Sequence, residues 1–91
     1  MTLNDINEII NNPARLRWAC RRGMLELDVL LGNFLTEAFP QLDVADKIRF
    51  VNILSQSDPE LFAWLMGKEL PEDPDFKRIT DLIRQHAQSR I

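Results

Sequence analysis

The sequence has few of the residues that usually build chemistry. It holds one cysteine, Cys20, so an intramolecular disulfide and a zinc site made of several thiolates are both excluded. It holds one histidine, His86, and its carboxylates are scattered, so no nucleophile–base pair and no metal cluster is legible. Tyrosine is absent, leaving two tryptophans and five phenylalanines as the large side chains of a core. Apolar runs are only a few residues long, so no segment is expected to insert into a membrane. No glycine-rich phosphate loop, alternating strand pattern or internal repeat is found. The formal net charge is −3, without the basic footprint that non-specific nucleic-acid binding needs. The opening residues, Met1 to Asp5, have no basic region followed by an apolar run, and they are not arginine-rich. No secretory or mitochondrial leader is therefore expected, and a reducing compartment, the cytoplasm, is the expected location.

What is present fits one small helical domain over residues 1–91, with residues 1–12 as an N-terminal extension. Hydrophobic residues make up 45% and charged residues 27%, the balance of a globular chain rather than a disordered one. A chain this short buries only about 60–65% of the surface it exposes when unfolded, so its packing has little to spare.

The spacing predicts a first helix over 2–12, with Leu3, Ile6, Ile9 and Ile10 on one side. Pro13 cannot continue it but suits the first position of a second helix capped by Asn12. That second helix is expected to stop or bend at Gly23. Leu16, Ala19 and Cys20 share one of its faces, and Arg15, Trp18 and Arg22 another. The apolar stretch 24–39 predicts the central helix, with Leu27, Leu31, Phe34 and Ala38 in register and Leu30 and Leu35 widening the stripe. A fourth helix is expected over 41–55, burying Val44, Ile48, Phe50, Val51 and Leu54. Ser57-Asp58-Pro59-Glu60 is a helix start signal. The short helix over 59–66 is expected to turn Leu61, Phe62, Leu65 and Met66 inward and to end at Gly67. After a proline-containing acidic loop, Phe76, Ile79, Leu82, Ile83 and His86 mark a last amphipathic helix to about residue 88. The fold class is all-α: a compact five-helix bundle, with a short extra helix at the N-terminus as the sixth.

Charge is unevenly spread. Residues 13–23 hold four arginines and no acid, whereas 58–75 hold six acids and one lysine. The stretch from Trp18 to Asp28 contains Arg21, Arg22, Gly23, Glu26 and Asp28 within eleven residues. On spacing alone, Arg22 and Glu26 are an exposed i, i+4 pair at a helix end, worth about 0.3–0.5 kcal/mol. Arg21, Asp28 and a glycine that permits close approach turn the same stretch into a candidate docking patch, with Trp18 as its aromatic anchor. Trp64 is read as core, Cys20 as a buried inert thiol, and His86 as an ordinary helix residue.

Trp18-Ala19-Cys20-Arg21-Arg22-Gly23-Met24-Leu25-Glu26-Leu27-Asp28 resembles the signature of the succinate dehydrogenase assembly factor family. Asp58-Pro59-Glu60-Leu61-Phe62-Ala63-Trp64-Leu65-Met66 is similar to that family's acidic-Pro-acidic-Leu-x-x-Trp-Leu segment. The resemblance runs from about Asn12 into the last helix. It implies a compact helical protein with no enzyme activity that promotes covalent attachment of FAD to a dehydrogenase flavoprotein. The partner implied is the flavoprotein subunit of succinate dehydrogenase, with that of fumarate reductase as a second candidate. It also implies that the Arg-Gly-x-x-Glu residues Arg22, Gly23 and Glu26 serve flavinylation. No cofactor, metal or catalytic residue is assigned to the chain itself, since FAD is the group attached to the partner. A monomer is expected.

Three alternatives compete. A helix-turn-helix using Arg15 to Arg22 is disfavoured by the net negative charge. An antitoxin-like adaptor binding another protein is the runner-up, since the family has also carried that label. An enzyme is the least supported.

Overall fold

The computed structural model describes residues 3–90, apart from the Leu3 side chain; the expected start at Thr2 and the place of the Leu3 side chain fall outside that range. All regular structure among the described residues is helical. The α-helices are α1 (Leu3–Ile10), α2 (Pro13–Ala19), α3 (Leu25–Glu37), α4 (Val44–Ile53), α5 (Asp58–Leu65) and α6 (Pro74–Ser89), with a 3₁₀ turn at Phe39–Gln41. The all-α expectation holds. The five-helix count rises to six, because α1 is a formed helix that packs against α4 and gives Ile6 and Ile9 to the core.

Side-chain caps set most of the boundaries. Asn12 Oδ1 accepts from the Arg15 amide at 3.2 Å, with Pro13 at the first position of α2. Asp43 caps α4 through the Asp46 amide at 2.8 Å, Ser57 caps α5 through the Glu60 amide, and Asp73 caps α6. The cap at Asp43 explains why α4 begins at Val44 and not at residue 41: the chain first makes the 3₁₀ turn through Pro40. Gly67 ends the α5 region with φ +75°, a left-handed conformation in which a Cβ is unfavourable.

The core is built on α3 and α4. Leu27, Leu31 and Phe34 from α3 meet Phe50 and Ile53 from α4, with Leu61 from α5 and Ile79 and Ile83 from α6. The Phe34 and Phe50 rings stand 5.3 Å apart, and Phe39 lies 5.4 Å from Phe50. Truncating a buried phenylalanine of this kind to alanine destabilises by about 3–5 kcal/mol, a large part of a small domain's stability. Two expected core residues are instead exposed. Val44 occupies the first position of α4, ahead of its packed turn, and Met66 sits at the C-cap of α5.

One buried carboxylate had no signal in the apolar pattern. Asp46, 4% exposed, receives Arg78 as a two-pronged donor (Nε and Nη2, both at 2.9 Å) and Arg49 Nη1 at 2.8 Å. It ties α4 to α6. The Arg78 hydrogen bonds, helped by Arg49, hold its carboxyl below the ordinary value of 3.8 against the opposing effect of burial.

Candidate docking surface

The second helix ends at Ala19, four residues short of the expected break at Gly23. Cys20 closes it with its amide bonded to the Leu16 carbonyl. The connection 20–24 is then shaped by Arg22. Its backbone amide donates to Asp28 Oδ1 at 3.2 Å. Its guanidinium turns inward, donating to the carbonyls of Ala19 (3.3 Å), Gln56 (3.4 Å) and Leu54, and lying 3.5 Å from Asp58 Oδ1. Helix C-termini leave carbonyls without partners and carry negative potential, so a cation there is doubly matched. Arg22 therefore closes the C-terminal ends of α2 and α4 and reaches the first residue of α5. Its side chain is 13% exposed. No Arg22–Glu26 pair forms, because the helix does not run through and Arg22 is taken up by these other partners.

Clamping Arg22 inward leaves its neighbours outward. Arg21, Gly23 and Glu26 are exposed, and neither the Arg21 nor the Glu26 side chain makes a hydrogen bond or ion pair among the described residues. Gly23 has no positive φ, and a Cβ built on it meets only Asp58 Oδ2 at 4.0 Å. The fold does not itself require glycine there. Leu25, 71% exposed, and Val29 lie one turn apart beside Glu26 on the outer face of α3. Asp28 is half-buried and shares a shallow depression with Arg17, Arg21 and Gly32. Trp18 is 76% exposed but lines a different depression, with Ile9 and Arg15 between α1 and α2.

Of the residues singled out in the sequence, Arg21, Gly23 and Glu26 thus share the exposed segment around the α2–α3 connection. Arg22 and Asp28 support it from beneath, and Trp18 stands to the side. The apolar flank Leu25–Val29 has no signal in the sequence, because an exposed leucine inside an apolar helix looks like core until the packed face is known.

Elsewhere the structure bears out the plainer readings of Cys20, Trp64 and His86. Cys20 is buried, and burial pushes its thiol up to about 11 despite the pull of Arg22 and Arg17. Trp64 is half-buried with its ring 5.8 Å from Phe76. His86 is satisfied, bonding Glu37 at 2.9 Å and meeting Phe34 edge-on. Among the described residues, no group of His, Cys, Asp or Glu is placed to hold a metal ion, and no helix is long and apolar enough to cross a membrane.

These features define a small all-helical protein that presents a charged, apolar-edged face beside a half-buried arginine clamp. The family model described as flavinator of succinate dehydrogenase matches residues 14–87, and the chain belongs to that family. It is 50% identical over 85 residues, 93% of both chains, to the FAD assembly factor SdhE of Colwellia psychrerythraea. It is 50% identical over 76 residues to SdhE of Shewanella oneidensis, covering 84% of this chain and 93% of that one. For SdhE of Pseudomonas aeruginosa the identity is 46% over 74 residues, with 81% and 88% covered. The solution structure of a UPF0350 protein has a similar fold: TM-score 0.71, 39% identity, 99% of this chain and 89% of that chain covered.

Proposed function

We propose that this chain promotes covalent attachment of FAD to the flavoprotein subunit of succinate dehydrogenase by docking on it through Arg21, Gly23 and Glu26, without catalysing the step itself. The observation that carries this reading is the inward clamp of Arg22, which leaves Arg21 and Glu26 unpaired on either side of a glycine the fold does not need. Unpaired charges of opposite sign beside a close-approach position set register with a partner through charge-assisted bonds. Trp18 extends the contact as an aromatic anchor, and Asp28 holds the connection in shape.

The new bond would join a ring nitrogen of a partner histidine to a flavin methyl carbon; the methyl C–H and imidazole N–H bonds break, and their electron pair and protons convert the isoalloxazine to reduced flavin, which the dehydrogenase's own electron acceptor re-oxidises, with negative charge developing on the ring as the methyl proton leaves. Holding those two groups in productive orientation lowers the barrier without any proton transfer by the helper. One copy per flavoprotein subunit suffices, and the flavoprotein of fumarate reductase is a second target of the same kind. FAD enters as the group attached to the partner.

The test is flavin fluorescence of the denatured flavoprotein subunit from cells with and without this chain, since denaturation strips non-covalent FAD. A band that needs the chain supports the role. A band equally bright without it rules the role out.

A further inference from the structure

Three arginines among the described residues are partly buried: Arg22, Arg49 and Arg84. The first two are ion-paired. Arg84 makes no ion pair and no hydrogen bond among the described residues. Its guanidinium lies against Gly67 so closely that a Cβ there would sit 2.8 Å from Nη2 and 3.2 Å from Cζ. A partly desolvated cation without a counter-charge is an unmet electrostatic demand, and a planar fork of donors suits a carboxylate best.

Arg84 stands at the side of a groove where α3, α5 and α6 converge. The other walls are Leu30, Leu65, Met66, Ile83 and Ala87, with the polar Gln88 at the end of the groove, and the volume is about 250 Å³. That space is below the range of cofactor pockets and fits a side chain. Met66 is 40% exposed at its edge, and a flexible thioether adapts to an incoming apolar group. Leu30 lies one helical turn beyond Glu26 on α3, so the groove draws one wall from the same helix that carries Glu26.

We infer that this groove is a second docking point for the flavoprotein subunit, receiving one of its apolar side chains with an adjacent carboxylate that pairs with Arg84. This rests on the function proposed above. The complementarity is specific: a largely apolar cleft beside a guanidinium unpaired among the described residues selects an acid next to a Leu-, Met- or Phe-like residue. It is not suited to a basic segment or to a wholly polar one.

The test is the affinity of the purified flavoprotein subunit for the full chain carrying Arg84→Gln, Arg84→Lys, Ala87→Glu, Lys68→Gln or Glu26→Ala. Ala87→Glu puts a carboxylate three residues from Arg84, neutralising it internally and filling the groove without disturbing the buried face of α6. Arg84→Gln and Ala87→Glu are each expected to weaken binding at least tenfold with unchanged melting temperature. Arg84→Lys, which keeps the charge but loses the fork, should fall in between. Lys68→Gln, which removes an exposed charge next to Gly67, should bind as the parent chain does. Parent-level affinity in either Arg84→Gln or Ala87→Glu, alongside loss of binding in Glu26→Ala, overturns the groove assignment and leaves the proposed function standing. No complex even with the unaltered chain removes the proposed function and the groove assignment with it. Arg84-dependent self-association of the chain in sedimentation would give the groove to a second copy and likewise overturn the assignment.

Discussion

Arg22 Nη1 lies 3.5 Å from Asp58 Oδ1, joining the loop before α3 to the first turn of α5 across 36 positions of sequence. The pair belongs to a clamp that also takes up the carbonyls of Ala19, Leu54 and Gln56. Removing the guanidinium leaves those carbonyls and a half-buried carboxylate without their cation. Arg22→Ala is expected to destabilise the fold by about 2–4 kcal/mol, lowering Tm by roughly 10–20 °C. Glu26→Ala removes an exposed side chain with no partner among the described residues and should leave stability within about 0.5 kcal/mol. Both variants should lose flavinylation, but only Arg22→Ala should lose it through the fold. Thermal unfolding followed by circular dichroism separates them. Equal Tm in the two variants would show that Arg22 is not a structural clamp.

Gly23 and Gly67 should respond in opposite ways to the same substitution. At Gly23 the backbone is ordinary and a Cβ meets nothing closer than 4.0 Å, so Gly23→Ala should leave Tm nearly unchanged. At Gly67 φ is +75° and the Arg84 guanidinium stands 2.8 Å from a new Cβ. Gly67→Ala should therefore destabilise by about 1–3 kcal/mol. The reading of Gly23 as a position of close approach adds that Gly23→Arg keeps the fold and abolishes flavinylation. Urea unfolding of the alanine variants, with flavin fluorescence for the arginine variant, tests both halves.

How much of this was legible before the structure depends on whether the signal was local. Caps and stops are local: Asn12, Ser57 and Gly67 mark their boundaries by chemistry within a few residues. Apolar periodicity located Leu27, Leu31, Phe34, Ile79 and Ile83 for the same reason. The clamp on Arg22 was not legible, since its partners at 54, 56 and 58 are brought to it only by the packing of α4 and α5. Nor was Asp46, a buried acid whose main partner, Arg78, is 32 positions away. The motif residues could be named from the sequence, but the division between an inward-turned, half-buried arginine and an exposed glycine and glutamate is a property of the tertiary fold.

Cys20 should be chemically quiet in the folded protein. Burial holds its thiol at about 11, against an ordinary value of 9.0. At pH 8 the thiolate fraction is then lower by roughly a hundredfold, and burial blocks access as well. Labelling with a thiol-reactive dye should proceed at least about a hundred times more slowly in buffer than in denaturant. Comparable rates in the two conditions would show that the α2 C-terminus opens readily.

Asp46 should set the acid limit of the fold. Its native carboxyl is held below the ordinary 3.8 chiefly by the Arg78 hydrogen bonds. The unfolded chain therefore takes up this proton more readily than the native one as the pH falls, and stability must drop with it. The contribution is fully present above the unfolded value and is lost as the pH passes 3.8 towards the lower native value. Asp46→Asn removes the charge at every pH while keeping the shape. It leaves Arg49 and Arg78 without their shared anion, though both reach solvent, so about 2 kcal/mol is the expected loss at pH 7. Urea midpoints of the parent and variant, measured from pH 7 to pH 2.5, should run parallel above pH 5 and converge below pH 4. Other carboxylates titrate in both proteins and cancel from the difference. A gap that stays constant down to pH 2.5 would mean that the bridge between α4 and α6 does not hold Asp46 ionised, and that another carboxylate limits the fold in acid.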